Sequence, residues 1–565
     1  MLEHFSCRCR GAKDCPCGFS SRKSHAASHS ALHHDRKSAL GPRSCLTKLT
    51  LLLALLLQFL PSHAQARTPE QQTAARMEQA RATGPLALHA FLVGMPKGGD
   101  LHSHLGGAVY AETWLQDAET DHACINAQAL AFSRQGSALA TEPCPTGTVA
   151  ASTLPKDQSL YDKLVDSFSM RSFVPTTEES GHDHFFASFD HFSGLSDSHK
   201  PEWVDEVAAR AAAQNVQYLE LMDTPAAAFA VIAQTKAVPP GTGYAAWRQQ
   251  LLDAGLGQQA LAIRQQMDRF EQARRQKENC GTAQPEPACT VEVRYLYQVL
   301  RNMPPPAVFA QIVLGFEVAA ADLSSPHPHY VGINLVQPED AEYSMADYKV
   351  HMQMIAALRQ FYPHVPVSLH AGELAPGLVP PEGLRSHIHQ AIEIAGAQRI
   401  GHGADVMYED QPYPLLKTMA DRHILVEINL TSNDVILDMK GKNHPLPLYR
   451  KYGVPTALST DDEGVSRIDL THEYVKAVET FDLTYPDLKE MARNSIEYSF
   501  LPGQSLWRDH DYRHPQTACA ASLGQDQEAG GSCANLLAAS PKAQQQWQLE
   551  QRFRRFEHAQ IAEQH

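Results

Sequence analysis

The chain has 565 residues, of which 43% are hydrophobic and 20% charged, and its formal net charge is −15. This composition is that of a globular protein that can bury a large core. The negative charge disfavours nucleic acid and anionic membrane as partners and favours a neutral or cationic small molecule.

The first 66 residues have the pattern of a secretory signal peptide. Lys48 precedes a mostly apolar run, Leu49–Leu60, which is too short to span a bilayer comfortably as a helix. Small residues follow, and cleavage is expected after Ala66. The basic, Cys- and His-rich stretch Met1–Ser44 is interpreted as an over-extended reading frame, with a metal-binding tail as the alternative. We therefore expect export, to the periplasm or outside the cell, without a membrane anchor after cleavage.

Cleavage would also make the protein more acidic. The discarded segment holds nine Lys and Arg residues, so the remainder has 39 against 60 Asp and Glu, a formal charge of −21. Six cysteines remain, in three close pairs: Cys124 and Cys144, Cys280 and Cys289, Cys519 and Cys533. An even number of cysteines in an exported protein predicts disulfides, and nearest-neighbour pairing is the simplest arrangement. All three pairs are expected to lie in loops.

A helical N-terminal segment is expected over residues 67–94, and short apolar runs then alternate with helical patterns. The predicted strands are Asp100–Leu105, Val216–Met222, Val291–Val299, Tyr330–Val336, Val365–His370, Arg399–His402, Ile424–Leu430 and Thr456–Thr460. Eight strands that alternate with helices predict an α/β fold, a (β/α)8 TIM barrel over residues 95–500. A doubly wound open sheet is the rival, but no glycine-rich phosphate turn follows an early strand.

Two insertions and a C-terminal extension interrupt or follow this pattern. The insertions are predicted at about residues 116–157 and 264–287, and the second is charged and ends at a cysteine pair. Residues 501–565 form the predicted extension, which ends in a helix over Pro541–Gln564.

A pair of histidines closes the first predicted strand. Side chains two apart on a strand point the same way, so His102 and His104 can converge on one ion. The same spacing recurs in 182–184 and 327–329. The first of these lies in a helical pattern, where residues two apart diverge, and the second flanks a proline ahead of a strand. Position at a strand end beside glycines distinguishes His102 and His104.

Three later strands also end in groups that can carry chemistry. The fifth ends at His370, with Glu373 three residues on, and the sixth ends at His402 between two glycines. Three consecutive acids, Asp461–Glu463, follow the eighth. Barrel enzymes place their catalytic groups at the carboxyl ends of the strands. Three histidines and one carboxylate at such a mouth predict a zinc site with a place for water, although iron or manganese could also bind.

Five ordered motifs resemble the adenosine deaminase family: PK followed by LHSHLGGA, then HAGE, RIGHG, EINLTSN and STDD. The resemblance covers about residues 90–500. The export signal, the cysteine pairs and the MPKGG opening look most like the secreted branch of adenosine deaminase-related growth factors.

The resemblance implies one zinc ion, held by His102, His104, His370 and Asp461. The other roles that it implies belong to three residues. Glu373 would be protonated and would donate to the purine nitrogen beside the reacting carbon. His402 would orient the attacking water or take its proton, and Asp462 would bind the far ring nitrogen. Adenosine would be converted to inosine and ammonia. Deoxyadenosine would be converted to deoxyinosine and ammonia.

Two departures from the family pattern concern substrate binding. Gly106 stands where the intracellular branch has a ribose-contacting acid. Gln337 replaces a fourth-strand glycine whose backbone contacts the purine, and it is the third predicted substrate-binding residue beside Glu373 and Asp462. The sequence therefore leaves other substrates open, such as adenine or a modified nucleoside. No lysine occurs in 334–339, which argues against a two-metal site.

A different class of function is also compatible with this fold. A non-catalytic extracellular binding protein, like a growth factor, would be expected to lose metal ligands or Glu373, and none is lost. The sequence does not set the oligomeric state, and a homodimer is one possibility.

Overall fold

The structure is a computed structural model, and it describes residues 67–136, 138–235, 241–525 and 529–562. The predicted signal peptide and the metal-binding tail considered for its first part lie outside these residues.

Eight parallel strands form the central sheet. They are β1 Gly98–His104, β2 Val216–Asp223, β3 Glu292–Leu300, β4 Tyr330–Val336, β5 Ser368–Ala371, β6 Arg399–His402, β7 Leu425–Ile428 and β8 Thr456–Leu458. Strands β1 to β4 pair in chain order, as do β5 to β8. Parallel bridges between Ile333 and Val367 and between Ser103 and Asp461 join the two sets and close the sheet. The predicted (β/α)8 barrel and its eight strands are confirmed.

Two helices precede the barrel, in the segment predicted to be helical. These are α1 Pro69–Thr83 and α2 Pro85–Gly94. Thr68 caps the N-terminus of helix α1. Its hydroxyl accepts from the Gln71 N–H, and the Gln71 side chain accepts from the Thr68 N–H. This reciprocal capping satisfies two N–H groups that the helix leaves unpaired.

Further helices surround the strands. In chain order they are α3 Leu105–Ala108, α4 Ala111–Thr120, α5 Gln158–Ser167, α6 Gly181–Phe192, α7 Lys200–Ala213, α8 Ala226–Gln234, α9 Tyr244–Asp253, α10 Leu256–Lys277, α11 Pro305–Leu323, α12 Glu342–Ala346, α13 Tyr348–Arg359, α14 His387–Gln390, α15 Pro412–Asp421, α16 Leu430–Leu437, α17 Leu446–Lys451, α18 Glu463–Ser466, α19 Leu470–Phe481 and α20 Tyr485–Glu497. The C-terminal extension contains α21 Gly531–Ala539 and α22 Pro541–Ala562.

Short elements fill the connections. Single 3-10 turns span Ala151–Lys156, Asp197–His199, Pro287–Thr290, Pro381–Leu384 and Gly441–Asn443, and a π-helical turn spans Ala391–Ala395. Small antiparallel strands span Cys124–Asn126, Ala131–Phe132, Arg134–Gln135, Ala138–Leu139 and Val149–Ala150, and a hairpin joins Trp507–Arg508 to Asp511–Pro515.

Helix α11 is a core helix of the barrel. Within the described ranges it is the one helix long and apolar enough to cross a membrane, with a mean hydropathy of 1.5. However, 72% of that stretch is buried inside the protein, where it packs on β3 and β4. Its apolar surface is therefore part of the protein core.

The two predicted insertions have different structures. Residues 121–157 form the small antiparallel strands and a 3-10 turn beside α4. The first part of the predicted insertion over 264–287 is helical, because residues up to Lys277 continue α10. Ile263, Met267 and Arg274 lie at helical spacing and are buried, whereas Asp268 and Arg269 between them are exposed. The irregular part begins after Lys277.

The three predicted disulfides are present, with nearest-neighbour pairing: Cys124–Cys144, Cys280–Cys289 and Cys519–Cys533. The expectation that every cysteine lies in a loop is wrong for two of them. Cys124 begins a short strand and Cys533 lies in α21, and both are fully buried. Each disulfide belongs to an insertion or to the extension, outside the eight barrel strands.

Candidate active site

The predicted site residues meet at the carboxyl ends of the barrel strands. His102 and His104 end β1, His370 lies in β5 and His402 ends β6. Asp461 follows β8 and pairs back onto β1, where its N–H donates to the carbonyl of His102. Closure of the barrel therefore brings together side chains that are up to 359 residues apart in sequence.

The histidine Nε2 atoms and the Asp461 carboxylate surround one point. Ligand atoms of His102, His370, His402 and Asp461 all lie within 4.8 Å of one another. His104 Nε2 lies 3.2 Å from His370 Nε2 and 3.3 Å from Asp461 Oδ1. All four predicted zinc ligands, together with His402, are thus held in one cluster.

Each histidine is fixed by a partner at its other ring nitrogen. His102 Nδ1 lies 2.7 Å from Glu427 Oε2, and His104 Nδ1 lies 2.8 Å from Gln298 Oε1. These contacts orient both rings so that Nε2 points to the centre of the cluster.

The other two histidines are held in the same way. His370 Nδ1 lies 3.0 Å from Asn334 Oδ1, and His402 Nδ1 lies 2.9 Å from the side-chain amide of Asn433. Asn334 Oδ1 also accepts from the backbone N–H of His370, which fixes that amide as an acceptor.

The cluster fits a zinc ion. His102 Nε2 is fully buried and has no hydrogen-bond partner, a costly state that a bound cation would relieve. Imidazole nitrogen with one carboxylate is a donor set typical of catalytic zinc. Burial opposes ionisation of Asp461, but the hydrogen bond from His104 and the nearby histidines hold the pKa of its carboxyl well below its usual range. The residues present can therefore hold one divalent metal ion.

Gly401 allows His102 to occupy this position. A Cβ atom at residue 401 would lie 2.5 Å from His102 Cε1, so any other residue would displace the ring. His402 and Asp461 have φ angles of 67° and 61°, in the left-handed region that non-glycine residues rarely adopt. Such backbone strain is concentrated at functional sites in proteins.

Glu373 lies beside the cluster with its carboxyl in a dry environment. Its Oε1 is 3.6 Å from His402 Nε2. Burial, and then the charge of Asp461, raise the pKa of the Glu373 carboxyl well above its usual range. A carboxyl group in such surroundings holds its proton at neutral pH and can donate it.

Asp462 occupies the other side of the mouth. Burial, with the charge of Asp461, also raises the pKa of its carboxyl well above the usual range. Its Oδ1 is buried without a hydrogen-bond partner and packs on Gly107, where a Cβ atom would lie 1.6 Å away. The glycine therefore makes room for this carboxyl group, whose free oxygen is available to a ligand.

A second carboxylate fixes the loop that carries Glu373. Glu339 accepts hydrogen bonds from the N–H groups of Gly372 and Glu373, at 3.0 and 2.8 Å, and from His387 Nδ1 at 2.5 Å. Burial would raise the pKa of Glu339, but the hydrogen bond and charge of His387, with Arg301, lower it to about 2. Glu339 is therefore an ionised anchor beside a protonated neighbour.

Helix α6 and strands β3 and β4 form the walls of a cavity over the cluster. Its volume is about 470 Å³, and it contains Gln298 and Gln337. The apolar lining comes from Phe185, Phe186, Phe189, Leu300, Val336 and Pro338. The charged lining is acidic, comprising Asp190, Glu373, Asp461 and Asp462, with no lysine or arginine among the described residues around it. The cavity suits a flat, uncharged ring with hydrogen-bonding edges.

The three predicted substrate-binding residues all line this cavity. Glu373 and Asp462 follow β5 and β8, and Gln337 follows the end of β4. Gln337 has a φ angle of 86°, the backbone conformation that favours glycine. Its side-chain oxygen accepts from the Asn302 N–H and its carbonyl accepts from Arg301, so both oxygens are already engaged. At Gly106 an added Cβ atom would meet open space.

The two other histidine pairs with this spacing, in 182–184 and 327–329, do not belong to the cluster. His182 and His184 lie in α6 and bind Asp340 and Glu179, respectively. His329 lies ahead of β4 and binds Asp268. These contacts satisfy each ring without a metal, as the helix and loop positions predicted.

Residues that orient the histidines were not identified from the sequence. Gln298 and Asn334 lie on β3 and β4 outside the recognised motifs, whereas Glu427 and Asn433 lie within the EINLTSN motif but received no role from it. Position gives a partial signal, because Gln298, Asn334 and Glu427 lie near the carboxyl ends of β3, β4 and β7. Polar residues buried at such ends are candidates for contacts with metal ligands.

Taken together, the fold and the site define a (β/α)8 barrel with a histidine and aspartate cluster at its mouth that can hold a metal ion. The sequence profile of a family described as adenosine deaminase matches residues 154–507. The chain belongs to the adenosine deaminase family.

Curated relatives match over a shorter stretch. An adenosine deaminase of Clostridium perfringens (strain 13 / Type A) is 36% identical over 138 residues, which are 24% of this chain and 37% of the relative. One from Escherichia coli O6:K15:H31 (strain 536 / UPEC) is 34% identical over 141 residues, 24% of this chain and 38% of the relative. The match thus spans little more than a third of the length of these relatives.

Solved structures of similar fold have low sequence identity. Adenine deaminase from Arthrobacter aurescens has a TM-score of 0.47 and 16% identity, over 72% of this chain and 94% of that one. An amidohydrolase from Burkholderia ambifaria with bound Zn has a TM-score of 0.48 and 18% identity, with 74% and 88% covered. Arabidopsis N6-mAMP deaminase has a TM-score of 0.45 and 20% identity, with 73% and 96% covered.

Proposed function

We propose that this protein is a zinc-dependent hydrolase that deaminates an aminopurine nucleoside, with adenosine and deoxyadenosine as its substrates. The observation that carries the proposal is the pairing of a metal-ligand cluster with Glu373, a buried carboxyl group that keeps its proton. Membership of the adenosine deaminase family supports the same reaction. One zinc ion would be held by His102, His104, His370 and Asp461.

The reaction replaces an amino group with an oxygen taken from water. A bound zinc ion would supply Lewis acidity, which lowers the pKa of water to about 7. Glu373 gives its proton to the ring nitrogen beside the amino-bearing carbon, so the ring accepts the electrons that the attacking oxygen displaces. One proton of the water passes to the amino group, which leaves as ammonia when the carbon–nitrogen bond breaks, and the other returns Glu373 to its protonated form, while the oxygen remains on the purine.

The other cavity residues position the purine and the water. Asp462 would bind the far ring nitrogen with its free Oδ1, and His402 would act on the attacking water through Nε2. Gln337 could offer N–H groups of its backbone or its side-chain amide, since both of its oxygens are engaged. The apolar wall of α6 would cover the ring and exclude water from the reacting atoms.

Substrate choice is the part of the proposal that needs an assay. Conversion of adenosine, deoxyadenosine, adenine and AMP by the mature protein can be followed by ultraviolet absorbance, with and without a chelator. We expect turnover of the two nucleosides, abolished by the chelator. Turnover of adenine alone would identify a base deaminase. No turnover of any of the four compounds would contradict the proposal and favour a non-catalytic binding protein on the same fold.

Export is also part of the proposal, and it extends to the secreted, growth-factor-related branch of the family. Three disulfides support an oxidising compartment, because such bonds are rare in reducing cytosol. The mature protein would act on a small-molecule nucleoside, without nucleic acid or membrane as a partner. Sequencing of the exported protein should give Arg67 as its first residue. A protein that retains residues 1–66 and stays inside the cell would contradict this.

A further inference from the structure

His402 is the end of a buried chain of hydrogen bonds that leads away from the site. His402 Nδ1 lies 2.9 Å from one terminal atom of the Asn433 amide, and the other terminal atom lies 3.0 Å from His444 Nε2. All three side chains are at most 3% exposed. The far end of the chain is His444 Nδ1, which lies 3.1 Å from the backbone N of Leu446 at the start of α17.

The backbone contact decides which nitrogen of His444 carries hydrogen. The N–H group of Leu446 can only donate, so His444 Nδ1 must accept through its lone pair. A neutral imidazole with a bare Nδ1 carries its hydrogen on Nε2. Burial also lowers the pKa of His444 to about 3, which keeps the ring neutral. His444 therefore donates from Nε2 to Asn433.

The orientation of the Asn433 amide follows from this donor. As placed, Asn433 Nδ2 faces His444 and Oδ1 faces His402, which sets an N–H group against the N–H group of His444. A half turn of the amide exchanges the two atoms without changing its shape. Oδ1 then accepts from His444, and Nδ2 donates to His402 Nδ1.

The other histidines of the cluster have the opposite arrangement. His102 Nδ1 faces a carboxylate, and His370 Nδ1 faces an amide oxygen that already accepts a backbone N–H. Both must therefore carry hydrogen on Nδ1 and present a bare Nε2, which is the form that binds a metal. His402 Nδ1 instead faces a donor.

We propose that His444 and Asn433 hold His402 in the tautomer with hydrogen on Nε2, so that His402 donates a hydrogen bond to the attacking oxygen and is not the base that deprotonates it. The proposal rests on the proposed deaminase function and adds to it. His402 Nε2 points towards the cluster, where it lies 3.6 Å from Glu373 Oε1 and 3.7 Å from Asp461 Oδ2. Asn433 and His444 are positioning residues, and His402 with hydrogen on Nε2 is not a metal ligand.

No other group competes for His402 Nδ1 within the described part of the chain. Asn429 Nδ2 lies 3.5 Å from both Nδ1 and Nε2. Because it is equidistant from the two nitrogens, it lies over the ring and not along either lone pair. Asn433 is thus the in-plane partner that sets the tautomer.

An isosteric variant, Asn433→Asp, tests the assignment. A carboxylate can only accept, so it would take hydrogen bonds from both histidines and force the hydrogen of His402 onto Nδ1. We expect kcat to fall by about 100-fold or more, as for a triad histidine held in the wrong tautomer. Bound zinc and KM should change little.

Asn429→Asp is the matched control. It adds the same charge beside the same ring but leaves the partner of Nδ1 unchanged, so a much smaller loss of kcat is expected. Unchanged kcat in Asn433→Asp would overturn the proposal, because a base needs the tautomer that this variant enforces. Equal losses in the two variants would also overturn it, since charge alone would then explain the effect.

Two substitutions of His444 separate positioning from packing. His444→Gln keeps a donor near the position of Nε2 and should keep kcat within about threefold of the wild type, whereas His444→Leu removes the donor and should lower kcat by about tenfold. Similar kcat values for the two variants would contradict a role in orienting Asn433. Melting temperatures of both show whether the leucine variant is folded.

A spectroscopic measurement keeps this proposal distinct from the substrate assignment. In protein labelled with ¹⁵N-histidine, the chemical shifts of the ring nitrogens distinguish the two tautomers without any substrate. We expect signals of a ring with hydrogen on Nε2 that disappear in His402→Gln and change to the other tautomer in Asn433→Asp. Signals of hydrogen on Nδ1 in the wild type would overturn the proposal even if the protein deaminates adenosine.

Discussion

Two neighbouring carboxyl groups differ in charge because their surroundings differ: Glu373 is protonated and neutral, whereas Glu339 is ionised. Glu339 accepts two backbone N–H groups and a bond from His387, which stabilise the ionised form. Within the described ranges no such donor reaches the Glu373 carboxyl, and its burial, with the nearby charge of Asp461, stabilises the protonated form. Carboxyl groups with well-separated pKa values are a common basis for acid–base assignments in enzymes.

Glu373→Gln should separate chemistry from metal binding. The amide keeps the shape of the carboxyl but has no acidic proton, so turnover should fall by about 100- to 10,000-fold. Bound zinc, measured by metal analysis, should stay near the wild-type level because Glu373 is not among the predicted ligands. Glu382→Gln removes a charge from an exposed position nearby and serves as the control. Loss of zinc in the Glu373 variant would count against a role as proton donor.

Glu339→Gln should lower stability in a pH-dependent way. The pKa of Glu339 is about 2 in the folded protein against 4.5 for a free side chain, so its ionisation stabilises the fold above pH 4.5. This difference corresponds to about 3 kcal/mol, which is lost as the pH falls from 4.5 towards 2. The variant lacks the contribution, and its free energy of unfolding should therefore approach that of the wild type in acid.

Urea unfolding between pH 3 and pH 7 measures this difference. Glu342 is exposed on α12, and Glu342→Gln should show no such pH-dependent change in the free energy of unfolding relative to the wild type. A gap between the wild type and the Glu339 variant that stays constant with pH would show that lost packing, and not the charge of Glu339, causes the destabilisation.

Elements with a regular pattern were predicted well from the sequence, and contacts between elements were not. The alternation of side chains on β1 placed His102 and His104 on one face, and strand ends placed His370, His402 and Asp461 at one mouth. The helical character of residues 264–277 was not predicted, because the charged residues there hide the buried spacing of Ile263 and Met267. Gln298 was missed because barrel closure, not local sequence, brings it to His104. Asn433 lies within the EINLTSN motif, but its contact with His402 also depends on the folded barrel.

The disulfides hold elements that lie outside the barrel strands. Cys519 and Cys533 are fully buried in a small apolar cluster with Leu506, Trp507 and Trp547. Cys280 and Cys289 are half-buried and close a shorter segment. The extension therefore depends on its disulfide more than the loop after α10 does.

Replacement of Cys519 and Cys533 by alanine should destabilise the extension and leave the reaction unchanged. A closed segment of 14 residues corresponds to a loss of about 3 kcal/mol in the chain-entropy picture. We expect a lower melting temperature and faster proteolysis near α21, with kcat unaltered because every site residue comes from the barrel. Replacement of Cys280 and Cys289 should cost less. A change in kcat with unchanged stability would contradict this division between barrel and extension.

At the scale of the whole molecule, the negative charge of the chain and that of the cavity lining act in the same direction. The charged groups that line the cavity are acidic, and the chain after residue 66 carries a formal charge of −21. Such a field attracts cations and repels phosphate groups. Under the proposed function we therefore expect it to favour loading of a metal ion, and entry of an uncharged nucleoside over a nucleotide.

Removal of the metal should lower the stability of the entire barrel. The proposed ligands come from β1, β5 and the end of β8, so the metal-binding site exists only when the barrel is closed. An ion that binds only the folded state stabilises it by RT ln(1 + [L]/Kd), or about 4 kcal/mol at a thousandfold excess over Kd. Chelator-treated protein should melt at a lower temperature, and added zinc should raise the melting temperature with the logarithm of its concentration. Magnesium, which prefers oxygen ligands, should have little effect. Equal stabilisation by both ions would show that the histidines do not hold the metal.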